Sequence, residues 1–311
     1  MTIGHRYTPG VVLAALCAFV AVGVAGTYRY VANYWIYRGF APPRDPAYVH
    51  VAGTTERLYV ASPALGGRRQ PVDVYLPPGY SSHPTRLYPV LYLLHGVPGR
   101  PAAFLDTVRM GVVEDELVAR RKARALILVM PFGSTGSFTD EEWANGVRPH
   151  EGWETFVARD LVRTIDERYR TIRSGAGRAL AGLSEGGYGA FNIGIHHAGE
   201  FRVLESWSGY ERADPIRAIF GSKSTARLAQ NSPLLTVARR AAALRRAHVR
   251  FWFYTGTGDP LRRQNTAFAA ELGRLRLPST YYVVRGGHNW ALWRGNAARA
   301  YLAASKGLRG P

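Results

Sequence analysis

Apolar residues along this chain fall into three patterns. From residue 51 onward, short continuous runs such as Val90-Leu91-Tyr92-Leu93-Leu94 and Ala125-Leu126-Ile127-Leu128-Val129-Met130 alternate with longer periodic segments. Runs with no polar side suit strands covered on both faces of a parallel sheet. They predict strands at Thr55–Ala61, Val72–Leu76, Pro89–Leu94, Ala125–Met130, Arg178–Leu183, Val203–Ser206, Val249–Thr255 and Thr280–Val284. The first two alternate more and suit an antiparallel edge hairpin. Helical spacing predicts helices at Val112–Arg121, Trp153–Tyr169, Gly186–His197, Leu234–Ala247, Arg262–Leu275 and Trp290–Ala304. In the second of these, Trp153, Val157, Leu161, Ile165 and Tyr169 recur every four residues as one apolar stripe, with Arg159, Arg163, Arg168 and Arg170 on other faces. The alternation predicts an α/β domain over residues 51–311: a mostly parallel eight-stranded sheet with helices on both faces.

The third pattern is the run from Val11 to Gly26. No charge occurs between Arg6 and Arg29, a stretch of 22 residues, long enough as a helix to cross a bilayer core of ~30 Å. His5 and Arg6 give a weak positive flank. Tyr28, Tyr30, Tyr34, Trp35 and Tyr37 resemble an interfacial aromatic belt. Residues 1–37 therefore read as a membrane anchor. A signal peptide cleaved near Gly23-Val24-Ala25 and a buried core helix are the competing readings. Arginines on both sides leave the orientation open. A single N-terminal apolar segment ahead of a large domain favours an extracytoplasmic domain held at the cell membrane, or one secreted after cleavage. Residues 38–50, with Pro42, Pro43 and Pro46, read as a linker.

Composition adds two exclusions. With 47% hydrophobic residues among 311, the chain is not mainly disordered. Cys17 is the only cysteine, so an intrachain disulfide and a cysteine zinc site are both excluded. The net charge of +18, nearly all of it arginine, raises nucleic acid or an anionic surface as a partner. No helix-turn-helix, RNA-recognition or zinc pattern accompanies the arginines, so no nucleic-acid partner is expected. The charge reads as a solvated basic surface near anionic lipid or envelope polymer.

The chemistry is concentrated in Gly182-Leu183-Ser184-Glu185-Gly186. It follows an apolar strand and opens a small-residue helix, the context of a nucleophile elbow. There a tight turn presents the serine at the C-terminal edge of the sheet, and Gly182 and Gly186 remove side chains that would clash across it. A serine needs a base, and the base needs an orienting acid. His288 lies in Arg285-Gly286-Gly287-His288, past the last predicted strand, whereas His196 and His197 fall on the helix leaving the elbow and His248 precedes a strand. Of the aspartates between Ser184 and His288, Asp259 ends a strand in Gly256-Thr257-Gly258-Asp259, and Asp214 reads as a helix cap. The oxyanion donors expected are the N–H groups of Glu185 and of Val97, in the loop His95-Gly96-Val97-Pro98-Gly99. His95 is expected to pack and hydrogen-bond within that loop. No metal or organic cofactor is implied. Trp143, Trp153, Phe138 and Trp290 are candidates for an acyl site, with core packing as the alternative.

Residues ~50–305 resemble the esterase family of the α/β-hydrolase fold that includes feruloyl esterases, S-formylglutathione hydrolases, enterochelin esterases and mycolyltransferases. LLHGVPG, MPFGSTGSFTDEEW, GWETFVARDLVRTIDERYR, RALAGLSEGGYGAFNIGIHHAGEF, YTGTGDP and GGHNWALWRGN carry the resemblance. It implies the triad Ser184, Asp259 and His288, with Val97 and Glu185 as oxyanion donors. It departs from the family at Glu185, where an apolar residue is usual and a negative charge beside the nucleophile is expected. At Asp259 the mycolyltransferases carry a glutamate. The expected activity is that of a serine esterase of the cell envelope acting on a small-molecule or lipid ester. The alternatives are transfer of an acyl chain to a sugar or lipid hydroxyl, and a non-catalytic envelope-binding role on the same fold.

Overall fold

The computed structural model describes residues 8–37, 49, 51–136, 139–221 and 225–309. The chain divides into two units, Met1–Arg44 and Asp45–Pro311. In the first, one helix runs Pro9–Tyr37. Its Pro9–Tyr28 portion has a mean hydropathy of 2.3 and is wholly exposed, so by length and composition it is able to cross a membrane. The linker proposed at 38–50 lies almost entirely outside the described residues.

The second unit is built on eight strands: β1 (Thr54–Ser62), β2 (Arg68–Leu76), β3 (Val90–Leu94), β4 (Ile127–Pro131), β5 (Arg178–Leu183), β6 (Val203–Trp207), β7 (Arg250–Gly256) and β8 (Ser279–Val284). They form one sheet in the order β1-β2-β4-β3-β5-β6-β7-β8. β1 and β2 form an antiparallel hairpin, β2 meets β4 antiparallel, and the remaining pairs are parallel. All eight predicted strands are present. β2 starts four residues earlier than predicted, because Arg68, Arg69 and Gln70 pair with Ser62, Ala61 and Val60 although they carry no apolar signal.

Side chains alternate between two cores, one on each face of the sheet. Leu180 joins Phe156, Phe191 and Phe253 on one face, while Ala179, Ala181 and Leu183 join Trp207, Trp293 and Tyr301 on the other. β3, β4, β5 and β6 are buried along their whole length, as their unbroken apolar runs require.

The helical stripe starting at Trp153 has a local adjustment. Residues spaced by four drift about 40° per step around a regular α-helix, so five of them would spiral off the core. Here Phe156–Leu161 form a wider π turn, and Trp153, Val157, Leu161, Ile165 and Tyr169 all stay buried. The short helices Ala103–Asp106, Arg217–Phe220 and Thr225–Gln230 were not predicted; four to six residues are too few to show a period.

Candidate active site

Ser184 stands between the end of β5 and the helix Glu185–His196, with φ 54° and ψ −123°. A non-glycine residue there is strained, and the surroundings hold it. Its N–H donates to the Trp207 carbonyl at 3.0 Å, and its carbonyl accepts from Gly187 and Tyr188. A Cβ at Gly182 would land on the Gly186 carbonyl, and one at Gly186 on the Leu94 carbonyl. The two glycines are what let the turn close.

His288 and Asp259 reach Ser184 from neighbouring strand ends. His288 Nε2 lies 2.9 Å from Ser184 Oγ, and its Nδ1 lies 3.2 Å from Asp259 Oδ2. Asp259 also accepts from the Leu261 N–H at 2.9 Å and from the Ser208 hydroxyl. Burial alone would raise the Asp259 carboxyl. The bonds from His288, Ser208 and Leu261 outweigh it and hold the group below the usual aspartate range, so it is ionised. Asn289 caps the helix Trp290–Gly307 by accepting from the Leu292 N–H, which fixes the chain immediately after His288. Trp293 closes the other side: its ring lies 5.1 Å edge-on to the His288 ring, and its indole N–H donates to Trp207.

The loop after β3 packs against Ser184. A Cβ at Gly96 would sit 3.0 Å from Ser184 Cβ. His95 is buried in this loop and organises it. The Gly133 N–H can only donate, so His95 Nε2 accepts from it at 3.1 Å; the ring proton is then on Nδ1, which donates to the Gly96 carbonyl at 2.9 Å. Burial lowers His95 to about 4, which keeps it neutral. In a trans peptide the C=O and N–H point opposite ways. Holding the Gly96 carbonyl toward His95 therefore turns the Val97 N–H to the other side. The N–H groups of Val97 and Glu185 have no protein acceptor among the described residues. Glu185 is the first residue of its helix, where a free N–H is expected.

The Glu185 side chain differs from the expectation of a negative charge beside Ser184. It is buried, and burial, followed by the charges of Asp140 and Glu142, pushes its carboxyl well above the usual range. The surroundings thus favour its protonated form, and it hydrogen-bonds Asp140. Asp140 in turn accepts from the Glu142 N–H, and Tyr210 donates to Glu142 at 2.7 Å.

The other candidates lie elsewhere. His196 and His197 both bind Glu154 at 2.9 Å, and His248 sits in the turn before β7. Asp214 does not cap a helix; Ile216 stands at the start of Arg217–Phe220 with no side-chain cap. Trp143 and Trp153 are fully buried in the core, Trp143 donating to the His95 carbonyl. Trp290 is partly exposed against Trp293, and Phe138 lies outside the described residues. Sequence reasoning missed Ser208 and Trp293. The signal for Ser208 was a polar residue at the end of β6, next to the strand that leads to Asp259. Among the described residues, no cluster of His, Cys, Asp or Glu is arranged to hold a metal ion.

Residues 62–303 match the family model described as "Putative esterase". The chain belongs to this esterase family. Its fold is that of the α/β hydrolases. An esterase of Mycobacterium tuberculosis is 36% identical over 138 residues, which are 44% of this chain and 28% of that protein. An endo-1,4-beta-xylanase/feruloyl esterase of Xylanibacter ruminicola is 35% identical over 132 residues, 39% of this chain and 17% of that protein. The chain thus spans only a fraction of the length of these relatives. Among solved structures, a ferulic acid esterase superposes with a TM-score of 0.71 at 26% identity, covering 82% of this chain and 99% of the other. MPT51 of Mycobacterium tuberculosis superposes at 0.65 with 18% identity, covering 83% of this chain and all of MPT51, a likeness of fold.

Proposed function

We propose that this esterase is a serine hydrolase of the cell envelope, with Ser184 as nucleophile, His288 as base and Asp259 as the acid that orients it. The observation that carries the reading is the continuous link Ser184 Oγ–His288–Asp259, 2.9 and 3.2 Å long. His288 takes the hydroxyl proton as Oγ attacks the ester carbonyl. The tetrahedral oxyanion is received by the Val97 and Glu185 N–H groups, aided by the positive end of the helix that Glu185 opens. His288 then protonates the leaving alcohol, and an acyl-enzyme on Ser184 remains. Water activated by the same imidazole releases the acid. Asp259, held ionised by Ser208 and Leu261, keeps the Nδ1 proton in place and stabilises the imidazolium. Residues 1–37 anchor the chain, 38–50 link it, and 51–311 form the catalytic domain outside the cytoplasm.

A fluorophosphonate probe tests this directly. Covalent labelling mapped to Ser184, lost in Ser184→Ala and accompanied by loss of turnover of short p-nitrophenyl esters, is the expected result. Unchanged turnover in that variant overturns the mechanism.

A further inference from the structure

β6, β7 and β8 begin at the end of the sheet opposite Ser184, about 20 Å away across β7. A cleft of about 370 Å³ opens there between β7, β8 and the helix Trp290–Gly307. The strand period places Arg250 and Trp252 of β7 on the same face as Thr280 and Tyr282 of β8, since Trp252 pairs with Thr280 and Tyr254 with Tyr282. From the helix, Arg299 and Lys306 are seven residues apart, two turns along one side, with Leu302 between them.

Three cations thus meet in one cleft. Arg250, Arg299 and Lys306 have no acidic partner among the described residues, and no acid lines the cleft. Some arginines elsewhere are matched by an acid, such as Arg57 with Asp73 and Arg274 with Glu271, whereas this cleft gathers three cations with none. The Arg299 guanidinium is held 5.3 Å over the Tyr282 ring, which itself lies against Trp252. Lys306 sits in the last helical turn, where carbonyls favour a cation, but that explains neither Arg250 nor Arg299. Like charges gathered around a concavity repel unless an anion joins them. Two guanidinium forks and an ammonium offer many N–H donors and more than one positive charge. That set matches a phosphoryl group, with several oxygens and up to two charges, better than a single carboxylate.

We propose that this cleft is a binding site for a phosphoryl group, separate from the esterase centre. The group is supplied either by a phospholipid headgroup or by a free phosphate.

The test is isothermal titration calorimetry of the full chain in a non-ionic detergent at about 0.15 M ionic strength, where diffuse surface attraction is screened. The probes are inorganic phosphate and soluble dihexanoyl phosphatidylglycerol, with dihexanoyl phosphatidylcholine as the zwitterionic comparison. The expected result is saturable binding of at least one anionic probe, weakened about tenfold or more by Arg250→Ala/Arg299→Ala and by Lys306→Glu. The charge-matched pair Arg246→Ala/Arg263→Ala should change it less than twofold, and all variants should keep ester turnover. Tighter binding of the phosphatidylglycerol than of phosphate assigns a lipid headgroup; the reverse assigns a free phosphate. No saturable binding of either anionic probe, equal binding of the phosphatidylcholine, or equal weakening by the two charge-matched pairs overturns the proposal.

Discussion

Gly256 and Gly286 touch. A Cβ on Gly256 would land on the Gly286 carbonyl, which also accepts the Gly258 N–H at 2.9 Å. These residues open the two loops that carry Asp259 and His288, so the contact sets the spacing between the proposed acid and base. Gly256→Ala must push the loops apart. The expected outcome is a fall in kcat of about 100-fold, the scale of a 1 Å misplacement, with little change in KM. Steady-state kinetics on a p-nitrophenyl ester check it.

The Ser208 hydroxyl shares Asp259 Oδ2 with His288. Ser208→Ala removes one of the bonds holding Asp259 ionised and oriented, and should lower kcat by about tenfold. Asp259→Asn removes the charge itself and should lower it by about 10⁴ near neutral pH. Comparable losses in the two variants would contradict this ranking.

His95 acts on the proposed oxyanion loop through its neutral ring. Replacing it with alanine frees the Gly96 carbonyl and leaves the Gly133 N–H unpaired, so the Val97 N–H loses its fixed direction. The expected loss in kcat is about 10- to 100-fold, below the 10²–10³ of deleting an oxyanion donor outright. Labelling of Ser184 by the fluorophosphonate should slow in parallel.

Glu185 is a buried acid next to Ser184 whose carboxyl is raised well above the usual range, facing Asp140 and Glu142, with Tyr188, Tyr210 and Asp214 nearby. Raising the pH far enough ionises it and places a charge next to the developing oxyanion. Glu185→Gln, which does not ionise, should hold kcat to higher pH than the wild type. A pH–rate profile whose alkaline limb is identical in both would exclude this role.

Glu205 is buried with one carboxylate oxygen unpartnered and the other accepting from the Trp207 indole. Burial raises it to about 8. A raised acid contributes stability that is fully present below its unfolded value of about 4.3 and is lost as pH climbs through 8. Glu205→Gln keeps the Trp207 bond and does not titrate. Its Tm, relative to wild type, should rise between about pH 4.5 and 8 and level off above that, exceeding wild type by several degrees at pH 9.

Much of the fold was legible because buried parallel strands need unbroken apolar runs, and β3, β4 and β5 supply them. The positions of Asp259 and His288 were legible because each follows such a run and carries glycines. What escaped was everything set by loops meeting across the sequence. Ser208 and Asp259 are 51 residues apart. Glu185 meets Asp140 only because the segment around Glu142 and Trp143 adopts left-handed backbone at both residues, which no local pattern announces. The upward shift of its carboxyl was missed for the same reason, since the sequence does not show burial. The π turn after Trp153 was visible only as a spacing of four that a regular helix cannot keep on one face.

The backbone of Ser184 is tied at both its N–H and its carbonyl, to Trp207 on one side and to Gly187 and Tyr188 on the other. None of these bonds involves a surface loop. Descendants of this chain can therefore recompose the exposed positions near Arg100, at 147–150 and at 212–218 without moving Ser184. Substrate preference is free to diverge while the reactive oxygen stays where it is.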